Sequence, residues 1–393
     1  MLKHSRTWVG LAAVLVGLAL VIVVIVVPRL HAADPATVTV MTRNLYLGAD
    51  INRPVRAASG LSGPEALLAL AQANHEVRET VDRTDFAIRS RLVAAEIAAT
   101  RPDLVGLQEV ALWRSGPMEL DQLGRPNAAT VDYDFLAILL IELARRQVVY
   151  DVVQSQDESD VEGPAFTGDP TLGTTDSARD VRLTLRDVLL VRSDAEIRVA
   201  DRGGGQYQHR LEIDLGGIRY AYVRGFAWAD LKIGRSHLRM VTTHLESESA
   251  DLALAQAEEL LTGVAADRSR TTVIACDCNS DRRDQTVHPP DSVPPAAAYD
   301  RLTGNGGFAD TWLAQGPGAG PGFTFGLGEG VDDATARFRR RIDLVLVRGL
   351  PPERLAASRG EVTGDELAER DQGTGLWPSD HAGVVTELPL DGG

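Results

Sequence analysis

The sequence predicts an α/β fold, two packed β-sheets with helices outside them in one domain, and three observations carry that expectation. Short apolar runs that end in polar tips recur from residue 37 to the C-terminus, the pattern of strands whose ends reach the surface. Few stretches with helical spacing separate them, so strands must pair largely with strands. A hydrophobic fraction of 44% over 393 residues is enough to bury a large core.

Ahead of the first strand, Lys3, His4 and Arg6 precede twenty uncharged, mostly apolar residues from Trp8 to Val27. That length spans a bilayer and exceeds the roughly 7–15 residues of a signal-peptide apolar region. Residues 1–33 are therefore expected to be a signal-anchor transmembrane helix or, with Ala32 and Ala33 as an imperfect cleavage site, a signal peptide. Positive charge before the span and little after it puts 34–393 outside the cytoplasm. The formal charge of −15 opposes nonspecific attraction to a long polyanion.

The alternating stretch 37–43 reads as a strand ending at Asn44. Phe86, Ile88, Leu92, Ala95 and Ala99 recur at helical spacing, so 80–100 is expected to be one amphipathic helix, closed by Pro102. Residues 103–110 form a buried strand with Gln108 and Glu109 at its C-terminal end. A helix at 134–146 and a strand at 147–153 follow. Between 155 and 180, seven acidic residues and one arginine lie among Gly, Pro, Ser and Thr, which reads as a long, solvated, mobile insertion. Further strands are expected at 181–191, 237–247, 271–280, 341–347 and 381–388, with a helix at 251–265. The Pro/Gly stretches at 289–295 and 316–322 read as surface loops. Glycines 203–205 precede no helix and carry no phosphate-binding meaning.

The only two cysteines, Cys276 and Cys278, flank Asp277. In an extended strand such residues lie about 6.5–7 Å apart at their Cα atoms, at or beyond the usual disulfide limit. The expectation is two packed thiols and a fold held by its core.

Five polar clusters fall at the ends of expected strands: Asn44, Glu109, His244, Asp277 with Asn279, and Asp343 together with the Asp380–His381 pair. Any one of them alone reads as a capping or surface residue. Jointly, carboxylates and an amide suit a hard cation such as Mg2+, while two histidines and spare aspartates suit proton transfer and phosphate contact.

The stretches "VMTRNLYLG", "RPDLVGLQEV", "VTTHLES", "CDCNSD", "FADTW", "RIDLVLV" and "WPSDHAGV" occur in the order and approximate spacing of the endonuclease/exonuclease/phosphatase family. The chain resembles that family, which includes DNase I-like enzymes and sphingomyelinases, over about 37–390. The resemblance implies a four-layered sandwich, two facing and mostly antiparallel sheets flanked by helices, with the site at one edge. It implies Glu109 as principal Mg2+ ligand, with Mn2+ or Ca2+ as alternatives, Asn44 in support and Asp380 near the metal. His381 matches the general base and Asp343 the carboxylate that orients it. Asp277 and Asn279 address the phosphate and attacking water, and His244 contacts the scissile phosphate.

Two departures from the family pattern stand out. Asp187 lies near a position usually Asn or Tyr, where an acid repels phosphate unless protonated or turned to metal. Cys276 and Cys278 replace a glycine and an apolar residue. Asp50 and Asp310 read as turn residues, the run Arg337, Arg339, Arg340 and Arg341 mostly as a solvated face, and His75, His209 and His237 as surface or half-buried.

The expected function is an extracytoplasmic, Mg2+-dependent phosphoester hydrolase, a phosphodiesterase before a monoesterase, acting as a monomer on nucleic acid or a phospholipid head group. The N-terminal segment supplies the membrane association. Extracellular nuclease and sphingomyelinase or phospholipase compete within that class, since substrate choice lives in loops. A noncatalytic surface module retaining the fold is the alternative class, and a complete proton-transfer set argues against it.

Overall fold

The computed structural model describes residues 37–167, 178–215 and 218–390. The expected membrane or signal segment at 1–33 and residues 168–177 of the expected insertion lie outside the described residues. Among the described residues no helix is long and apolar enough to cross a membrane.

The first sheet begins with β1 (Thr37–Asn44) parallel to β2 (Leu104–Gln108). β3 (Leu112–Pro117), β4 (Thr130–Asp134), β5 (Tyr150–Phe166) and β6 (Ala178–Arg192) extend it antiparallel. The second sheet takes β7 (Ile197–Gln206) and then, after a hairpin of β8 (Leu211–Leu215) and β9 (Ile218–Tyr222), β10 (Gly225–Ile233), β11 (Ser236–His244), β12 (Thr271–Asp277), β13 (Ala309–Asp310) and β14 (Asp343–Arg348). β15 (Arg359–Thr363) and β16 (Gly383–Pro389) return to the first sheet, where β16 pairs antiparallel with β1.

Alternation along the strands builds the layers. Val40, Leu104, Leu189, Met240 and Val273 point between the sheets and form one buried cluster. Their neighbours Met41, Val105 and Leu190 point the other way, beneath α3 (Phe86–Thr100) and α4 (Phe135–Arg145), where Val93, Ile97, Leu139 and Leu143 cover them. Val241, Ile274 and Leu346 on the outer face of the second sheet meet Ala257 and Leu260 of α5 (Ala250–Thr262) and Leu302 of α6 (Ala297–Thr303). Strands buried on both faces explain why the central runs are continuously apolar. The result is the expected order of helices, sheet, sheet, helices.

Three expectations change. The helix expected at 80–100 is the end of α2 (Gly63–Arg83) followed by α3. The break lies at Asp85, whose φ of 30° leaves the helical region and whose carboxylate caps α3 by accepting from Ile88 N–H. The mobile insertion expected at 155–180 is, through Phe166, the second half of a 17-residue strand. Its acids are engaged: Asp160 pairs with Arg182 at 2.5 Å, and Glu162 accepts from Asn127 and Ala128 N–H, each at 2.7 Å.

The third change concerns the cysteines, which form a Cys276–Cys278 disulfide with their Cα atoms 5.1 Å apart. β12 ends at Asp277 and the chain turns so that Asn279 has φ 48°. The extended separation assumed for a continuing strand therefore does not apply. Glycines 203 and 205 also have a use. They pair with Trp228 and Phe226 across β10, and a Cβ at either would sit 2.9 Å from those rings.

Topology brings the polar tips to one edge. Parallel pairing sets Asn44 beside Gln108 and His244 beside Asp277, while antiparallel β14 opens with Asp343 opposite Asp277. β16 starts two residues after His381. Beneath this edge the sheets approach closely, since a Cβ on Gly106 would lie 2.7 Å from Thr242 Oγ1. The Gln108 amide bridges them, donating to Thr242 Oγ1 at 2.9 Å and accepting from Thr42 Oγ1 at 3.2 Å.

Candidate active site

The strand tips open into a cleft of about 390 Å³. Glu109, His244, Asp277, Asn279, Asp380 and His381 line it, and Asn44 and Asp343 stand directly behind them. All eight residues expected from sequence are thus in one place.

His381 is 4% exposed. Its Nδ1 lies 2.8 Å from Asp343 Oδ2, and its Nε2 lies 3.6 Å from Asp277 Oδ2 and 3.9 Å from Asp380 Oδ1. Burial opposes protonation of the ring, but Asp343, Asp277 and Asp380 together hold its pKa well above the ordinary value. Burial pushes Asp277 up to about 7 and Asp380 up to about 6.

Asn44 organises the carboxylates. Its amide oxygen accepts from Tyr46 N–H at 2.8 Å, which turns its NH2 group toward Glu109 Oε1 at 3.2 Å and Asp277 Oδ2 at 3.0 Å. Asn44 therefore orients acidic groups through its NH2, with its amide oxygen bonded to Tyr46 N–H. Glu109 sits one residue past β2 at φ 53°, and its Oε2 accepts from Leu47 N–H at 2.8 Å. Asn279 lies beyond the strand, its own N–H bonded to Asp277 Oδ1 at 3.1 Å and its NH2 to Leu245 O at 2.9 Å. Its amide oxygen is left for the cleft.

Arg224 is a neighbour that sequence reasoning missed. Its Nη1 lies 2.8 Å from His244 Nδ1, and a guanidinium cannot accept a hydrogen bond, so Nδ1 accepts and Nε2 carries the proton. Burial, then the Arg224 charge, keeps the His244 pKa well below its ordinary value. That Nε2–H lies 3.3 Å from Asp277 Oδ2. A lone arginine just before an alternating strand at 225–233 was the only signal available.

Arg89 was missed as well. Fully buried, it donates to Leu45 O at 2.7 Å, Tyr46 O at 3.0 Å and Pro378 O at 3.2 Å, tying the loop after Asn44 to the loop carrying Asp380 and His381.

The other sequence readings resolve individually. Asp310 caps a helical turn and pairs with Arg341, and Asp50 accepts from Asn52 N–H in a turn. Arg340 faces the cleft over Phe325. Asp187 is fully buried beside Glu158, away from the cleft lining, and burial followed by the Glu158 charge raises its pKa well above the ordinary value. It is therefore not among the groups that face a phosphate in the cleft.

The donor set fits a hard divalent cation. Glu109, Asp277 and Asp380 line the same cleft, and Asp343 Oδ1, buried behind them, has no hydrogen-bond partner. Such crowding is relieved by positive charge. Ligand atoms of Asp277, Asp343 and His381 also lie within 4.8 Å of one another. The His381–Asp343 bond makes that trio a histidine held by one carboxylate and facing another.

A two-sheet sandwich whose edge joins an oxygen-rich cation corner to a carboxylate-held histidine defines a metal-dependent phosphoester hydrolase. The sequence model of the Endonuclease/Exonuclease/phosphatase family matches residues 72–381. This chain belongs to that family. Similar solved structures include truncated Caenorhabditis elegans TDP2, 16% identical over 90% of this chain and 98% of that one, with TM-score 0.45. A Bacteroides thetaiotaomicron family protein is 15% identical over 91% and 99%, with TM-score 0.48, and that organism's mannosyl-6-phosphatase Bt3783 is 14% identical over 89% and 99%, with TM-score 0.46. No curated protein matches the sequence.

Proposed function

We propose that the protein is an extracytoplasmic, Mg2+-dependent phosphodiesterase that cleaves its substrate by attack of water, with His381 as general base. The observation that carries this reading is the 2.8 Å bond from His381 Nδ1 to Asp343, which aims Nε2 into the cleft beside Asp277. With a cation neutralising the neighbouring carboxylates that raise its pKa, an imidazole held in this way would take a proton from water through Nε2 while Asp343 stabilises the imidazolium that forms. Glu109 and Asp380 would hold the cation, which would neutralise charge on the phosphate and lower the pKa of water. His244 offers its Nε2–H, and Arg224 its positive charge, to oxygens that become more negative during in-line displacement. Asn279, at the same wall, offers its amide oxygen to the attacking water.

The cleft lining holds seven carboxylates, Asp50, Glu109, Glu246, Glu248, Asp277, Glu329 and Asp380, against Arg224 and Arg340. That balance favours a small or zwitterionic phosphodiester, such as a phospholipid head group, over a polynucleotide. A disulfide supports an oxidising compartment outside the cytoplasm, and the apolar stretch from Trp8 to Val27 supports attachment to the membrane.

The test is turnover of p-nitrophenyl phosphorylcholine, bis(p-nitrophenyl) phosphate, p-nitrophenyl phosphate, DNA and RNA, with Mg2+ and with chelator. The small diesters should be cleaved faster than the monoester or the nucleic acids, chelator should abolish cleavage, and His381→Ala should lower kcat at least about 100-fold. Equal rates for wild type and His381→Ala would overturn the reading.

A further inference from the structure

Beside the catalytic cleft lies a second cavity of about 80 Å³, and the two share Ile51 and Tyr222 in their walls. α1 (Arg53–Ala58) and α2 supply Val55, Leu70 and Val77 on one side, and β5 and β6 supply Val161 and Leu183 on the other. Such a volume holds about five to eight water-sized groups, room for a short hydrocarbon chain.

The polar side chains of this wall are already bonded to backbone. Asn74 Nδ2 donates to Pro164 O at 2.8 Å, Trp113 Nε1 to Leu47 O at 3.0 Å, Tyr222 OH to Ile51 O at 3.1 Å and Tyr220 OH to Glu162 O at 3.5 Å. Glu162 accepts from two backbone N–H groups. What the cavity has to offer a ligand is hydrocarbon surface. It is also built into the catalytic frame, because the same Leu47 whose carbonyl holds Trp113 gives its N–H to Glu109 Oε2 at 2.8 Å.

We propose that this cavity is a subsite for a hydrocarbon substituent of the phosphodiester whose phosphate occupies the cleft. The inference rests on the phosphodiesterase reading and narrows it: the shared wall at Ile51 and Tyr222 lets one molecule place its phosphate against Glu109 and His381 and its apolar group against Leu70, Val77 and Trp113. A substrate with only polar substituents leaves that apolar surface without a partner, and loses the contribution that burying methylenes makes to binding.

The experiment compares methyl and hexyl p-nitrophenyl phosphate with the wild-type protein and Mg2+. The hexyl diester should have at least a tenfold higher kcat/KM. Val161→Trp and Val55→Phe, two half-buried positions chosen so that one survives if the other misfolds, should each bring the hexyl-to-methyl ratio to within about threefold of one. Calorimetric titration with methyl and hexyl methylphosphonate reads the subsite without turnover, and the hexyl ester should bind at least tenfold tighter. Equal binding of the two esters, or a ratio that survives both filling variants, overturns the subsite. Absence of turnover with tighter hexyl binding overturns the hydrolase reading and leaves the subsite standing.

Discussion

Glu158 shows how far a single residue's behaviour depends on what the fold buries around it. Its sequence context, amid acids, glycine and serine, points to solvent, yet β5 buries it fully, its Oε1 accepting from Gly225 N–H at 2.9 Å. Burial, opposed by Arg224, lifts its pKa from 4.5 to about 7. Between those values the folded protein keeps a proton that the unfolded chain has released, so stability falls as pH rises from about 4.5 to 7. Glu158→Gln removes this dependence while its amide oxygen still accepts from Gly225. Denaturant unfolding should find the variant more stable than wild type at pH 8 by roughly 1–2 kcal/mol, with the gap shrinking toward pH 4.5; a gap independent of pH would contradict the assignment. Asp187 was visible in the sequence only as a conflict with the family pattern, because its raised pKa depends on burial and on Glu158, which lies in a bulge of the neighbouring strand. Arg224 was invisible for a related reason: its meaning lies in the 2.8 Å contact with His244, which sequence separation conceals.

Strands with strong apolar alternation were legible as elements, and their polar ends were legible as candidate site positions. β1, β2, β11, β12, β14 and β16 all fall within a few residues of expectation. The hairpin of β8 and β9 and the polar half of β5 were not legible, since their residues pair with neighbours and do not build the central core, leaving a weak hydrophobic pattern. The C-terminus of β12 carries the clearest misreading. Treating it as extended through residue 280 excluded a bond that the turn after Asp277 allows. Unfolded but unreduced protein should therefore take up no iodoacetamide, and two equivalents after reduction, as read by mass spectrometry. So short a loop restricts the unfolded chain little, and reduction should cost only about 1–2 kcal/mol. Labelling without reduction would contradict the disulfide.

At the scale of the whole molecule, two sheets pack so that the ends of β1, β2, β11 and β12 and the beginnings of β14 and β16 meet at one edge. Residues from 44 to 381 thereby share a cleft that no local segment contains. The order of the motifs made this convergence legible from the sequence through resemblance to a family, whereas the acid excess of the rim and the adjoining apolar cavity come from side chains that tertiary packing alone assembles. The central claim is that this edge works as one hydrolytic site whose base is oriented by a carboxylate. A double-mutant cycle on His381 and Asp343 tests it most directly, with kcat/KM measured on bis(p-nitrophenyl) phosphate in Mg2+. His381→Ala and Asp343→Ala should each lower kcat/KM about 100-fold to 10,000-fold, and the double variant should be no worse than His381→Ala by more than about threefold, because residues acting as a unit are non-additive. Losses that multiply in the double variant, or activity retained in either single one, would contradict it.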